Sequence, residues 1–88
     1  MRIYMQTPMA AGEPGGQTPR FCQLLLQRDL LGGWNLTREC GQQGRPGRIR
    51  RAHFAQLEEA QARFQEWRDR QLRRGYRIVY MEGMEMPS

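Results

Sequence analysis

The chain has 88 residues, which is enough for one compact domain with a single core and too few for a core plus a separate catalytic subdomain. Its composition, 39% hydrophobic and 26% charged, is typical of globular proteins and excludes a fully disordered chain. No segment approaches the ~20 apolar residues of a membrane span, and residues 1–10 lack the apolar run of a secretory signal. We therefore expect one soluble domain with no membrane partner, located in the cytoplasm.

The charge balance favours an anionic partner. Fourteen basic residues against nine acidic ones give a net charge of +5, and every basic residue is arginine. The guanidinium group is always charged and its planar fork matches a phosphate group, so an all-arginine surface suits nucleic-acid backbones. A coding sequence rich in G and C would also favour arginine codons, and this alternative explanation stays open.

The chain begins with a short strand and a linker. Residues 2–6 are compatible with a brief strand, and residues 11–16 read Ala-Gly-Glu-Pro-Gly-Gly, which is typical of a flexible linker. We therefore predict a strand and linker over residues 1–19, a folded domain over residues 20–81 and a tail over residues 82–88.

The next segment predicts a β-hairpin. Residues 21–28 and 34–40 are strand-like and are joined by a five-residue loop. Because alternate side chains share a face, placing Cys22 opposite Cys40 collects most of the apolar residues on one side of the hairpin. Since the cytoplasm keeps thiols reduced, we predict two free, packed thiols, with a disulfide that tightens the hairpin as the alternative. The predicted apolar face consists of Cys22, Leu24, Leu26, Trp34, Leu36 and Cys40.

The second half of the chain predicts a loop, a strand, a helix and a last strand. Glycines and a proline make residues 41–47 a loop, residues 48–51 a short strand, and residues 52–55 a lead into the helix. The helix spans about residues 56–74, Gly75 ends it, and residues 76–81 alternate as a strand. One apolar stripe should bury the helix against the sheet, and it consists of Leu57, Ala60, Phe64 and Trp67.

Catalytic and metal-binding signals are weak. His53 is the one histidine, and the sequence fixes no nucleophile or carboxylate near it. The two cysteines form neither a CxxC pair nor a zinc-spaced set with that histidine. We therefore expect a protein that is not an enzyme and that has no cofactor and no metal site.

The order of elements and several residues resemble the WGR domain. The resemblance covers about residues 20–76, and it implies an α+β fold in which a small antiparallel sheet of four or five strands packs against one helix. Its signals are Arg20-Phe21, Asp29-Leu30-Leu31-Gly32-Gly33-Trp34, Arg38-Glu39-Cys40-Gly41-Gln42, Gly44, Gly47-Arg48 and Arg74-Gly75-Tyr76.

The resemblance implies binding rather than catalysis. In poly(ADP-ribose) polymerases the WGR domain contacts DNA near a break and neighbouring domains, and in bacteria it occurs in molybdate-regulator-like proteins and as small stand-alone chains. In this chain Cys40 stands where the family has tryptophan and Gln42 where it has arginine, while Gly41 is retained.

We therefore predict nucleic-acid binding, to DNA rather than RNA, through phosphate contacts from basic and polar residues around the loop and the strand after it. Two alternatives stay open. The arginines could be a solvated edge that keeps the sheet from pairing with other chains, or the same face could dock an acidic protein or a second copy of the chain. The predicted binding residues are Arg38, Gln42, Arg45, Arg48, Arg50 and Arg51.

Overall fold

The structure is a computed structural model that describes residues 1–8 and 19–83. Within these residues the strands form one antiparallel sheet in the order β4-β3-β2-β1-β5, and the helix packs on one face of it against β2, β3 and β4. This confirms the predicted α+β fold. The elements in chain order are β1 (Arg2–Gln6), β2 (Arg20–Arg28), β3 (Trp34–Gln42), β4 (Arg48–Phe54), α1 (Leu57–Arg73) and β5 (Arg77–Glu82).

The first strand lies inside the sheet rather than ahead of the folded domain. The strand predicted over residues 2–6 is confirmed, and it pairs with β2 on one side and with β5 on the other. Two of its side chains, Ile3 and Met5, are fully buried in the core. The linker predicted over residues 11–16 and the tail from residue 84 onward lie outside the described residues, whereas Glu82 belongs to β5.

The β2–β3 hairpin has the predicted register. Cys22 lies opposite Cys40 and Leu26 lies opposite Leu36, and the pairing continues by one more position to Arg20. Because side chains alternate along a strand, the even-numbered residues of β2 and β3 face the helix and the odd-numbered ones point to the other side of the sheet. The hairpin therefore brings most of its apolar residues and the arginines of both strands, Arg20, Arg28 and Arg38, to the face toward the helix.

The prediction of two free thiols is wrong, because Cys22 and Cys40 form a disulfide. Their Cα atoms are 4.1 Å apart across the two strands, so the register itself places the thiols within bonding reach. Cys22 is fully buried and Cys40 is half-buried. The bond therefore crosslinks the two strands at the edge of the core, as in the alternative that the sequence left open.

The core lies between the sheet and one side of the helix. Its largest fully buried side chain is Phe64, and Ala60 and Trp67 of the predicted stripe are also buried, while Leu57 is half-buried against them. The stripe continues one turn further to Gln71, which is buried although it is polar. The buried hydrophobic residues are Ile3, Met5, Cys22, Leu24, Leu26, Leu36, Ala60, Phe64, Trp67 and Tyr76.

The boundary between β4 and the helix differs from the prediction. Residues 52–55 were expected to lead into the helix, but the strand continues to Phe54 because Ala52 pairs opposite Leu36 and Phe54 opposite Trp34. Long-range pairing therefore decides this segment. The helix begins after Gln56, which makes no side-chain cap, and the last strand begins one residue later than predicted, at residue 77.

Two features fix the conformation of the hairpin loop: the contacts of the Asp29 carboxylate, and the close approach of Gly33 to the backbone of Phe54. Asp29 Oδ1 accepts a hydrogen bond of 3.0 Å from the Leu31 backbone N–H, and Asp29 Oδ2 lies 3.4 Å from His53 Nε2. Gly33 has a φ of 82°, and a Cβ there would lie 2.6 Å from the Phe54 carbonyl oxygen. A side chain at position 33 is therefore excluded by both conformation and space.

Replacing Asp29 by Ala should lower the thermal midpoint at pH 7 and have a smaller effect at pH 3. The Leu31 N–H lowers the pKa of the Asp29 carboxyl, the Asn35 and His53 side chains act in the same direction, and partial desolvation opposes them. A carboxyl with a lowered folded-state pKa stabilises the fold above its unfolded pKa, and this contribution is lost as the pH falls through the folded value. Circular-dichroism melts of both chains at the two pH values test this, and an equal difference at both would contradict it.

Candidate nucleic-acid interface

A pocket with a volume of about 200 Å³ opens on the helix side of the sheet, next to the end of the helix. Strands β2, β3 and β4 form its floor, and the last turn of α1 together with Arg74 and Tyr76, which lie between α1 and β5, closes one side. We call it the arginine pocket because five of its eight lining residues are arginines. Its lining residues are Arg20, Arg38, Cys40, Arg48, Arg50, Gln71, Arg74 and Tyr76.

Strand pairing explains why arginines meet here. Along β3 the residues that face the helix change from Leu36, in the core, to Arg38 and then to Cys40. In the register of β3 with β4, Arg38 lies directly opposite Arg50, and Cys40 lies opposite Arg48. The apolar part of this face is covered by the helix, so the charged part forms the pocket floor where that cover ends.

Arg38 is the most enclosed of these arginines. Its guanidinium carbon lies 5.0 Å from the centre of the Trp67 ring, which is within the range of a cation–π contact. Burial lowers the pKa of Arg38 below its ordinary value, and the positive charges of Arg50, Arg70 and Arg74 act in the same direction. The guanidinium group stays charged at neutral pH, because the ordinary pKa of arginine lies far above neutrality. The pocket therefore holds a fixed cation that the ring of Trp67 orients.

The pocket arginines have no carboxylate partner among residues 1–8 and 19–83. The arginine ion pairs in this part of the chain all lie on the helix: Arg63 and Arg70 with Glu66, at 3.6 and 3.7 Å, and Arg68 with Asp69, at 3.0 Å. Five like charges around one pocket produce a strongly positive local potential that attracts anions. The arrangement is therefore suited to phosphate or another compact anion.

The structure brings three of the predicted binding residues together and separates the other three. Arg38, Arg48 and Arg50 line the pocket. Arg51 follows on the opposite face of β4, where it pairs opposite Thr37, and it is exposed. The other two are exposed outside the pocket lining, with Gln42 at the end of β3 and Arg45 in the turn that follows.

Sequence reasoning missed three of the polar lining residues. Arg20 is two residues before Cys22 and therefore lies on the same face of β2, so extending the hairpin register by two pairs beyond Cys22 and Cys40 would have placed it there. Gln71 follows Trp67 by four residues and therefore continues the helix stripe. Arg74 had no local signal, because its place depends on where the end of the helix meets β2 and β3.

The remaining potential sites are sparse within the described residues. No three His, Cys, Asp or Glu side chains in this part of the chain are grouped so that they could hold a metal ion. No helix there is long and apolar enough to cross a membrane. The arginine pocket is therefore the candidate functional site in the described part of the chain.

In residues 1–8 and 19–83, the sheet, the helix that packs on it and the cluster of arginines without a carboxylate partner define a small α+β domain with a cationic pocket. A family model described as the WGR domain matches residues 5–82, so the chain belongs to the WGR family. The WGR domain is a nucleic-acid-binding type of module. A search of curated proteins and a search of solved structures each returned no match.

Proposed function

We propose that this protein is a non-enzymatic module that binds nucleic acid, DNA in preference to RNA, through phosphate contacts from the arginine pocket. The observation that carries the proposal is the set of five guanidinium groups on one face that have no carboxylate partner among the described residues. Membership of the WGR family supports the same class of ligand. The preference for DNA follows from the resemblance to WGR domains that contact DNA.

The proposed contacts position the protein on nucleic acid without reading its sequence. Arg48 and Arg50 project from an edge strand and are exposed, so their forked guanidinium groups are free to reach phosphate oxygens. Each phosphate that is neutralised releases counterions, and the affinity therefore falls with salt. If all five pocket arginines take part, the slope of log affinity against log salt is about −4.5 for duplex DNA.

A non-enzymatic role is supported by the surroundings of His53. Its Nε2 lies 3.0 Å from the Gly32 carbonyl oxygen and 3.4 Å from Asp29 Oδ2, so the ring is engaged with the hairpin loop. No hydroxyl or thiol group is hydrogen-bonded to it among the residues that the structure describes. The histidine therefore has a structural explanation and lies outside the pocket lining.

The double substitution Arg48→Gln/Arg50→Gln should weaken DNA binding by about tenfold or more at fixed salt, because two phosphate contacts are lost. The loss should be about equal for every DNA sequence, and the salt slope should flatten by about 1.8, since phosphate contacts carry the salt dependence and no direct sequence information. Fluorescence anisotropy of labelled duplexes of different sequence, each at several salt concentrations, measures both quantities.

The matched control is Arg51→Gln/Arg77→Gln, which removes the same charge from the opposite face of the sheet. Arg51 is paired opposite Thr37 and Arg77 opposite Gln6, and strand alternation places both on the side away from the helix. This control should lose less than about threefold in affinity, since long-range charge effects are screened by salt. An equal loss in both variants would reduce binding to net charge, and no binding at low salt would remove the proposal. Equal competition by polyglutamate would favour an acidic protein as the partner.

A further inference from the structure

The arginine pocket concentrates more positive charge than one phosphodiester can neutralise. Arg38 and Arg50 are directly opposite each other on neighbouring strands, an arrangement in which like charges repel. Three further arginines complete the lining of a space of about 200 Å³. A phosphodiester brings one negative charge, and a duplex spaces its phosphates along a convex surface by about 3.4 Å of axis per strand. A concave pocket of this size therefore matches a compact anion with several charges.

The pocket wall also contains one amide side chain, that of Gln71. Gln71 is only 3% exposed, yet it lines the pocket. Its backbone carbonyl accepts hydrogen bonds from Arg74 and Tyr76, but none of the side-chain hydrogen bonds within the described parts of the chain uses its amide. Among the described residues, the buried side-chain nitrogen that lacks a partner is Arg2 Nε, and the Gln71 amide is not such an orphaned group. An oxygen-rich ligand in the pocket would accept a hydrogen bond from this amide.

The shape around the pocket is elongated. A second cavity of about 300 Å³ lies beside it and is lined by Thr7, Arg20, Arg74 and Tyr76. Three of these four residues also line the arginine pocket, so Arg20 and Arg74 face both spaces. The two cavities together would accommodate a linear ligand whose charged groups follow one another.

We propose that the arginine pocket binds a free linear oligophosphate, the class represented by inorganic pyrophosphate and triphosphate, and that this ligand competes with nucleic acid. Pyrophosphate brings about three negative charges at neutral pH, because the second pKa of a phosphate group lies near 6. Its oxygens can accept bidentate hydrogen bonds from several guanidinium groups at once. Only the competition rests on the proposed function, since binding of the oligophosphate needs no nucleic acid.

Isothermal titration of the intact chain with orthophosphate, pyrophosphate and triphosphate tests the binding. Affinity should rise along this series, with pyrophosphate at least about tenfold tighter than orthophosphate, because each added group brings negative charge to the five arginines of the pocket. Citrate, a trianion with a different shape, should bind about tenfold more weakly than pyrophosphate if guanidinium–phosphate geometry matters. In ¹H–¹⁵N spectra of the unmodified chain, pyrophosphate should shift the Gln71 side-chain amide signals, a readout that does not depend on any variant folding.

The variant Arg20→Gln/Arg74→Gln locates the ligand, because both residues face both cavities. It should bind triphosphate about tenfold or more weakly, whereas Arg51→Gln/Arg77→Gln, on the other face, should lose less than about threefold. Equal losses in the two variants, or Gln71 amide signals that stay unmoved at millimolar pyrophosphate, would overturn the proposal.

A competition experiment separates this proposal from the proposed function. Triphosphate should displace a labelled duplex that lacks terminal phosphates, with an inhibition constant close to its directly measured dissociation constant. DNA binding without oligophosphate binding would overturn this inference and leave the proposed function standing. Oligophosphate binding without DNA binding would contradict the proposed function and leave the binding of oligophosphate to the pocket standing.

Discussion

Replacing Phe64 by Ala should cost about 3–5 kcal/mol of the free energy of unfolding, the range found when a large buried aromatic side chain is removed. Phe64 is 1% exposed and is the largest fully buried side chain in the described residues, at the centre of the contact between helix and sheet. At about 0.05–0.15 kcal/mol per residue, an 88-residue domain has a total stability of about 4–13 kcal/mol. At the low end of this range the variant would be close to unfolded at room temperature, and at the high end it would be folded but clearly less stable.

Urea unfolding followed by circular dichroism measures this cost, and Leu72→Ala is the matched control. Leu72 is also a large apolar residue on the helix, but it is 38% exposed, whereas Phe64 is buried. Its replacement should cost about 1–2 kcal/mol, less than that of Phe64, because less of its apolar surface leaves water on folding. An unchanged unfolding midpoint for Phe64→Ala would contradict the assignment of the helix stripe to the core.

The parts of the fold that local patterns determine could be predicted from the sequence. The hairpin register was predictable because a shift by one residue would put Cys22 and Leu26 on the face opposite to Leu36, and the five-residue loop selects among the alignments that remain. The helix was predictable because apolar residues recur at helical spacing and Gly75, with a φ of 95°, stops it.

The parts that depend on long-range pairing could not be predicted. The sequence of Arg2–Gln6 indicates a strand, but nothing local shows that it inserts between β2 and β5. The same limit explains the error over residues 52–54, whose strand conformation is set by pairing with β3. Local propensity competes with tertiary context in such segments, and here the context decides.

The candidate site shows the same division. Alternation along β4 distinguishes Arg48 and Arg50 from Arg51, so the sequence already contained the information that these three arginines do not share a face. What it lacked was the position of the helix end, which brings Gln71 and Arg74 over the strands. The run of arginines in residues 48–51 was therefore a weaker guide to the site than the fold, which assembles the arginine pocket from β2, β3, β4 and the end of α1.

The Cys22–Cys40 disulfide joins the core to the arginine pocket, since Cys22 is fully buried and Cys40 lines the pocket. The two residues are separated by 18 positions. In the chain-entropy account, closing a loop of this length in the unfolded state stabilises the fold by about 3 kcal/mol. Reduction should therefore lower the thermal midpoint by about 12–24 °C, since each kcal/mol corresponds to about 4–8 °C in a domain of this size.

Intact mass under non-reducing conditions should be lower by two hydrogens than the mass of the reduced chain, and melts with and without a thiol reductant give the change in midpoint. The variant Cys22→Ala/Cys40→Ala is the control, because its midpoint should not respond to the reductant. Two free thiols in a chain that has not been treated with a reductant would contradict the bond. If the bond forms but reduction leaves the midpoint unchanged, strand pairing alone holds the hairpin.

Because Arg20 and Arg38 flank the crosslinked pair on the same two strands, reduction should also broaden the resonances of the pocket residues.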